Sequence, residues 1–162
     1  MIPFHLDESM REELARAIHQ DYVRRADASR DPDADPDRLV SYEDLPEEAK
    51  ESNRGQAEDI ALKIEMIDAK IVPLADSGPA AFRFTRKELD SLSRHEHERW
   101  MRAKREAGWR YGPVMDPFAR THSCLVDYDS LSEEEKAKDR RAVQRIPGLL
   151  RSVGLGIVRR YL

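Results

Sequence analysis

Two copies of one sequence pattern follow each other along the chain, and this internal repeat limits the possible folds more than any other feature. Four pairs of similar residues lie 78 positions apart: Leu14 and Leu92, Arg16 and Arg94, His19 and His97, and Tyr22 and Trp100. After an insertion in the second copy the offset becomes 86, and Leu39-Val40-x-Tyr42 then aligns with Leu125-Val126-x-Tyr128. Because a fixed period marks a repeated structural unit, we predict two tandem repeats, residues 1–78 and 79–162.

A capping residue stands at the predicted start of the first helix in each copy. Asp7 and Thr85 can accept hydrogen bonds from the unpaired amides of a first turn, and Thr85-x-x-Glu88 is a capping-box pattern. The helices are predicted near residues 8–26 and 86–107, and Gly108 is placed to end the second one. The apolar segments just before the two caps, Phe4-His5-Leu6 and Phe82-Arg83-Phe84, are strand candidates.

Capping-box patterns also precede the second helix of each copy, at Asp44-x-x-Glu47 and Ser130-x-x-Glu133. In the second copy Pro147-Gly148 interrupts this helix, so a kink or a break is expected there. Each copy then ends in a β-branched pair, Ile71-Val72 or Ile157-Val158, which predicts a short strand.

These elements define the predicted fold class, which is α+β and mostly α-helical, with short strands flanking the helices. Two helices and short strands give a copy of about 75 residues too little apolar surface for a good core of its own. We therefore expect the two copies to pack around a pseudo-twofold axis as one compact domain.

Composition and the start of the chain bear on where the protein works. Charged residues make up 37% of the sequence, and no apolar run reaches the ~18 residues of a membrane span. Met1-Ile2-Pro3-Phe4-His5 lacks the basic end and the apolar stretch of a signal peptide, and one cysteine, Cys124, allows no internal disulfide. These features predict a cytoplasmic protein without a membrane partner.

The net charge of −4 is divided unevenly between the copies. Residues 1–78 carry 10 Lys and Arg against 20 Asp and Glu, a net of −10, whereas residues 79–162 carry 18 against 12, a net of +6. Either the halves attract each other, or the basic half meets an anion, or both are solvated faces with biased charge.

The segment from His95 to Gly112 holds both tryptophans and is the strongest candidate for a site. At about 100° per residue, one face of its helix carries Leu89, Leu92, Glu96, Trp100, Ala103 and Ala107. His97 and Lys104 lie beside Trp100 at the edge of this face. A core helix does not need a carboxylate, an imidazole and an ammonium around its largest ring, so the helix is predicted to face a flat, anionic ligand.

Other chemistries find less support in the sequence. His95 and His97 lie about 200° apart on a helix and cannot share a metal ion. No Ser or Cys nucleophile stands in a recognisable elbow, Cys124 is expected to be a small buried hydrophobe, and no glycine-rich phosphate loop is present. The acidic chain also lacks a base-reading helix and an RNA-stacking motif. We therefore predict no metal, no cofactor, no enzyme activity and no nucleic-acid partner.

The aromatic motifs of the second copy resemble a known family. His97-Glu98-x-Trp100, followed by Gly108-Trp109-x-Tyr111-Gly112, is similar to the signature of the ryanodine-receptor repeat, the RyR domain. Leu125-Val126-x-Tyr128 and the residues up to Lys136 are similar to the family's second, strand-like block. The resemblance implies a bacterial-type tandem of RyR-like repeats that acts as a regulatory module and holds an adenine nucleotide or a nucleotide signal between the copies.

The helix pattern and the resemblance together give the predicted ligand site. Its members come from both copies and are Tyr22, His97, Trp100, Lys104, Trp109, Tyr111, Arg102, Arg140 and His19. Tyr22 and Trp100 are expected to stack on a base from two sides, while His97 and Lys104 meet phosphate or ribose. The alternative is a ligand-free structural or protein-interaction module in which Trp100 and Trp109 are core residues.

Overall fold

A computed structural model of the chain describes residues 6–29 and 36–160, and these residues form two compact units. The terminal unit comprises the described residues up to Phe82 together with those from Ile146 onward, and the central unit comprises Arg83–Arg145. The predicted α+β class is confirmed, because the described residues are mostly helical with short strands. No helix in these ranges is long and apolar enough to cross a membrane.

The helices, in chain order, are α1 (Glu8–Ser29), α2 (Glu47–Met66), α3 (Arg86–Glu106), α4 (Glu133–Gln144) and α5 (Ile146–Ser152). The strands are β1 (Ala69–Pro73), β2 (Arg110–Tyr111), β3 (Thr121–His122) and β4 (Leu155–Arg159). The break predicted at Pro147-Gly148 is confirmed, since α4 ends and α5 begins just before this pair.

The predicted boundaries of the first helices are close to those observed. Asp7 Oδ1 accepts a hydrogen bond of 2.8 Å from the amide of Met10 at the start of α1. At the start of α3 the Thr85 hydroxyl accepts from the Glu88 amide and the Glu88 carboxylate accepts from the Thr85 amide, so this capping box is confirmed. Gly108 follows the end of α3 with a φ of +88°, a conformation that glycine adopts without strain.

The predicted caps of the second helices are wrong. Tyr42–Asp44 and Tyr128–Ser130 are 3-10 turns, so Asp44 and Ser130 lie before the helices rather than at their caps. The N-cap of α2 is Pro46, which makes no side-chain cap, and the capping box of α4 joins Ser132 to Glu135.

The terminal unit contains a two-stranded antiparallel sheet of β1 and β4, in which Ile71 pairs with Ile157. The two β-branched pairs therefore form strands, as predicted. The strand candidate at 82–84 is wrong: no strand forms there, and the Phe82 ring packs 4.7 Å from the Arg159 guanidinium. The earlier candidate, at 4–6, lies mostly outside the described residues. The strand-like segment expected around Tyr128 is also wrong, since it forms a 3-10 turn.

Each unit has a core of its own. In the terminal unit α1 packs against α2 and α5, and Leu14, Ile64 and Leu150 are almost completely buried. In the central unit α3 packs against α4, and Leu92 and Val143 are fully buried. The fold thus joins α5 and β4 to the core built by α1 and α2.

The same set of side-chain contacts occurs in both units. His19 Nε2 lies 2.6 Å from the carbonyl oxygen of Val40, and His97 Nε2 lies 2.7 Å from that of Val126. The Arg16 guanidinium lies 5.0 Å from the centre of the Tyr42 ring, and Arg94 lies 4.8 Å from that of Tyr128. A lysine lies over each tyrosine as well, Lys50 at 5.8 Å and Lys136 at 5.4 Å. The partners differ by the offsets of 78 and 86 residues seen in the sequence.

Candidate functional site

The candidate site lies at the end of α3 in the central unit. The buried residues of this helix are Leu92, Ser93, Glu96, His97 and Met101. The predicted apolar face is therefore only partly correct: Ala103 and Ala107 are exposed, because burial along α3 ends at Met101. The last turns of α3 project their side chains towards solvent and towards the loop that follows.

Four side chains around this helix end form what we call the aromatic cluster: Trp100, Lys104, Trp109 and His122. The Lys104 ammonium lies 4.4 Å from the centre of the Trp109 ring and 6.0 Å from that of Trp100. His122 meets Trp100 edge-on at 4.9 Å and is tilted against Trp109 at 6.4 Å. All four residues are half-buried, so the cluster places two indole rings and a cation at the surface of the unit.

Backbone hydrogen bonds fix Trp109 and His122 in the cluster. The Trp109 amide donates to the Lys104 carbonyl at 2.9 Å, which turns the chain back over the end of α3. The parallel pairing of Tyr111 with His122 in β2 and β3 then brings the chain back beside this turn at the end of α3. The sequence analysis missed His122, because this strand pairing is too short to leave a sequence signal.

His122 has a defined tautomer in this arrangement. Its Nδ1 accepts a hydrogen bond of 3.0 Å from the Cys124 amide, so a neutral ring carries its proton on Nε2.

His97 is almost completely buried and supports the cluster from behind. Its Nε2 lies 2.7 Å from the Val126 carbonyl and its Nδ1 lies 3.3 Å from the Asp139 carboxylate. Burial lowers the pKa of His97, but Asp139 and the Val126 carbonyl outweigh it, so the pKa is raised above its usual value. Because both neighbours can only accept hydrogen bonds, the doubly protonated ring satisfies both of them.

The His97 ring is also stacked on Trp100, with centroids 5.7 Å apart and planes at 21°. One face of the Trp100 ring is therefore covered by a neighbour within the unit. In this arrangement His97 orients Trp100, and a direct contact of its nitrogens with a ligand would cost one of its two hydrogen bonds.

The remaining predicted residues are not members of the aromatic cluster. Tyr111 is 57% exposed in β2, Arg102 is exposed on α3, and Arg140 lies on α4 with Nη2 3.4 Å from Glu133 Oε2. His19 and Tyr22 belong to the terminal unit, where their rings stack at 6.3 Å. Within the central unit the structure thus brings together Trp100, Lys104 and Trp109 of the predicted set, and it adds His122.

Cys124 has the properties of an inert thiol. Its Sγ donates a hydrogen bond to the Glu135 carboxylate. Burial and this carboxylate raise the pKa of Cys124 to about 12, so the nucleophilic thiolate is scarce at neutral pH. In residues 6–29 and 36–160 no three His, Cys, Asp or Glu side chains converge as ligands of a metal ion.

The comparison with known families agrees with the aromatic motifs. Residues 84–159 match the family model of the RyR domain, a span that contains α3, the aromatic cluster and α4, and continues through α5 and β4. The match confirms the resemblance seen in the sequence for this part of the chain. Residues 84–159 are therefore assigned to the RyR domain family.

Proposed function

We propose that this protein is a non-catalytic, ligand-sensing module whose RyR domain binds an anionic, nucleotide-type ligand at the aromatic cluster. The observation that carries the proposal is the position of Lys104, whose ammonium lies over the Trp109 ring at 4.4 Å. A flat base gains about 1–3 kcal/mol by stacking on an aromatic side chain, and a phosphate beside the base would meet the ammonium. The net charge of +6 in residues 79–162 favours an anion further.

We also propose that the chain is a tandem of two RyR-type repeats related by a pseudo-twofold axis. Two observations support this. The contacts of His19 and His97 recur with their partners at the sequence offsets, and Ile71 pairs with Ile157, its counterpart 86 residues later, in the middle of an antiparallel sheet. A twofold axis that passes through a pair of antiparallel strands makes the residue at the axis pair with its own equivalent.

Three further expectations belong to the proposal. The thiol of Cys124 is protonated at neutral pH and is therefore a poor nucleophile. We propose that the protein does not turn over its ligand. The cytoplasmic location and the bacterial type remain predictions from composition and from the family resemblance.

A second function is favoured by one specific observation. The Trp100 ring is already packed by His97 at 5.7 Å and by His122 at 4.9 Å. If these contacts serve stability alone, the domain is a structural or protein-interaction module without a small ligand.

Binding measurements on matched charge variants separate the two functions. The protein is screened with adenine and guanine mono- and dinucleotides, because a ligand of the native state raises its thermal stability. Affinity for the nucleotide found is then measured by calorimetry in Lys104→Glu and in Lys87→Glu. Both substitutions reverse one charge on α3, and Lys87 lies about 25 Å from Lys104 along the helix.

Lys104→Glu is expected to weaken binding at least tenfold, because a charge-assisted hydrogen bond contributes about 1.5–3 kcal/mol. Lys87→Glu is expected to bind like the wild type. Equal affinity of all three proteins would place the ligand elsewhere, and no stabilisation by any nucleotide would favour the ligand-free module.

A further inference from the structure

The buried histidine beneath Trp100 has a counterpart in the terminal unit. The His97 ring stacks on Trp100 with centroids 5.7 Å apart and planes at 21°, and the His19 ring stacks on Tyr22 at 6.3 Å and 27°. Both histidines are almost completely buried, and their Nε2 atoms lie 2.7 and 2.6 Å from backbone carbonyl oxygens. Each unit therefore contains the same pair, a buried histidine under the aromatic ring that follows it by three residues.

The units differ at one position on the helix that packs against the histidine's own helix. In the central unit this position is Asp139 of α4, whose carboxylate lies 3.3 Å from His97 Nδ1. The residue 86 positions earlier is Asn53, which is buried on α2. An amide can donate or accept a hydrogen bond, whereas an ionised carboxylate only accepts and carries a charge. A charged acceptor therefore replaces a neutral amide in the unit that contains the aromatic cluster.

The carboxylate makes the contact between His97 and Trp100 depend on a proton. Nδ1 of His97 faces Asp139 and Nε2 faces the Val126 carbonyl, so the doubly protonated ring donates to both. A neutral ring has one N–H group, and its other nitrogen would turn a lone pair towards an oxygen. Because an unmade hydrogen bond is costly in a buried place, a tilt or shift of the neutral ring is favoured. The His97 ring cannot move in this way without changing its stack on Trp100.

The other ionisable groups that act on His97 keep their charge state near neutral pH. Glu135 of α4 adds a second negative charge, and its pKa is lowered by hydrogen bonds, first of all from the Cys124 thiol, so it is ionised. Tyr128 of the 3-10 turn meets the His97 ring at 6.2 Å, and burial raises the pKa of this phenol, so it is neutral. The pKa of His97 itself is raised, as described above, which places its charge change closer to neutral pH.

We propose that Asp139 is a positioning residue of the aromatic cluster: through doubly protonated His97 it holds the Trp100 ring in place, and loss of one proton from His97 releases the ring. The consequence for binding rests on the proposed function. An anionic nucleotide binds more tightly while His97 is charged, because Trp100 is held and because the imidazolium adds a positive charge beside the site. Affinity therefore falls as pH rises through the titration of His97.

The Trp100 indole reports the positioning directly, without a ligand, when it is the only tryptophan. In the full chain with Trp109→Phe, one indole Nε1–H signal remains, and its nuclear magnetic resonance shift is followed from pH 5 to 9. Asp139→Asn gives α4 the side chain that α2 carries at the equivalent position, and Asp139→Glu keeps the carboxylate. Glu134→Gln is the matched control, because it removes an exposed carboxylate from the same helix. Circular dichroism verifies that each variant is folded.

The Trp100 signal is expected to titrate with a midpoint above about 6.5, the usual pKa of histidine. Asp139→Asn is expected to lower this midpoint by about one pH unit or more, because it removes an opposite charge beside the imidazole. Asp139→Glu is expected to restore the midpoint at least in part, and Glu134→Gln to leave it in place. If Asp139→Asn does not fold, His97→Gln is used instead and is expected to abolish the titration.

A second imidazole could produce the same signal, because His122 also meets Trp100, edge-on at 4.9 Å. His122→Gln separates the two rings. A titration that disappears in His122→Gln, or a midpoint that Asp139→Asn leaves in place, would overturn the proposal.

The effect on binding is measured by calorimetry with adenylyladenosine, an adenine dinucleotide whose single phosphodiester keeps its charge in this pH range. The affinity of the wild type is expected to fall about fivefold or more from pH 6 to 9, as for the loss of a weak base–ring stacking contact. In Asp139→Asn the fall is expected to move to lower pH.

The two measurements distinguish this inference from the proposed function. If the dinucleotide binds equally at every pH, the inference fails and the proposed function stands. If Trp100 titrates as expected but neither this dinucleotide nor any other nucleotide of the screen binds, the proposed function fails and the positioning role of Asp139 stands.

Discussion

Leu150→Ala is the sharpest test of how the chain is divided into units. Leu150 is fully buried in α5, a helix that follows the RyR domain's α4 in sequence but packs against α1 in the terminal unit. Removing the buried side chain deletes apolar contacts and leaves a cavity, at a cost of about 2–5 kcal/mol. We expect this loss to fall on the terminal unit.

Two optical signals report the two units separately. Both tryptophans, Trp100 and Trp109, lie in the central unit, so tryptophan fluorescence follows its unfolding, whereas far-ultraviolet circular dichroism follows the helices of both units. In urea, a loss of 2–5 kcal/mol with a slope of about 2 kcal/mol per molar lowers a midpoint by about 1–2.5 M. Leu150→Ala is expected to show this shift in part of the dichroism signal while the fluorescence midpoint stays in place.

Leu92→Ala is the matched control, because Leu92 is fully buried in α3 of the central unit. This variant is expected to lower the fluorescence midpoint. If Leu150→Ala lowered the fluorescence midpoint as far as the dichroism midpoint, the terminal and central units would unfold together, which would contradict the prediction.

Two further predictions concern the central unit. Because the pKa of His97 is raised, its interaction with Asp139 stabilises the unit fully below about pH 6.5, and this stabilisation is lost as pH rises through the folded-state pKa. The free energy of unfolding is therefore expected to fall from pH 6 to 9, and Asp139→Asn is expected to flatten this slope. A free energy of unfolding that rises with pH would contradict the assignment. Thr85→Ala removes the capping box of α3 and is expected to lower the free energy of unfolding in urea by about 0.5–2 kcal/mol. Ser91→Ala, an exposed change within the same helix, is expected to lower it less, and equal stability of the two variants would show that the cap contributes nothing.

The sequence was most informative where a local signal has one structural meaning. Thr85-x-x-Glu88 and Gly108 marked the ends of α3, and the proline after Ile146 marked the break between α4 and α5. The predicted cap of α4 was wrong because Glu133, Glu134 and Glu135 follow one another, so both Ser130 and Ser132 stand three residues before a glutamate. Ser132 is the cap because Ser130 belongs to the preceding 3-10 turn.

The candidate site was predicted in part, for a similar reason. Helical spacing placed Trp100 and Lys104 together, and the glycine-bounded turn placed Trp109 near them. His122 joins them through a strand pairing of two residues, and such a contact leaves no periodic pattern. The buried state of His97 depends on Asp139 of α4, a partner 42 residues away that only the packing of the two helices brings near.

The membership of α5 and β4 in the terminal unit was beyond the sequence argument as well. The repeat alignment groups residues by their order along the chain, whereas compact units are decided by which apolar faces meet. The helix α5, in which Ile146 and Leu150 are buried, packs against α1, and β4 pairs with β1. That residues 1–78 and 79–162 are two repeats of one sequence pattern therefore stays a prediction.

The most direct test of the central proposal uses the tryptophans as reporters of the ligand. In Trp100→Phe the only remaining indole is Trp109, over which Lys104 lies at 4.4 Å. A nucleotide that raises the melting temperature of the wild type is titrated into this variant while the Trp109 emission is recorded. The account predicts saturable quenching of Trp109 with the dissociation constant found by calorimetry, and much weaker quenching when Lys104→Glu is added. Unchanged emission at a ligand concentration that saturates the calorimetric signal would contradict a site at the aromatic cluster.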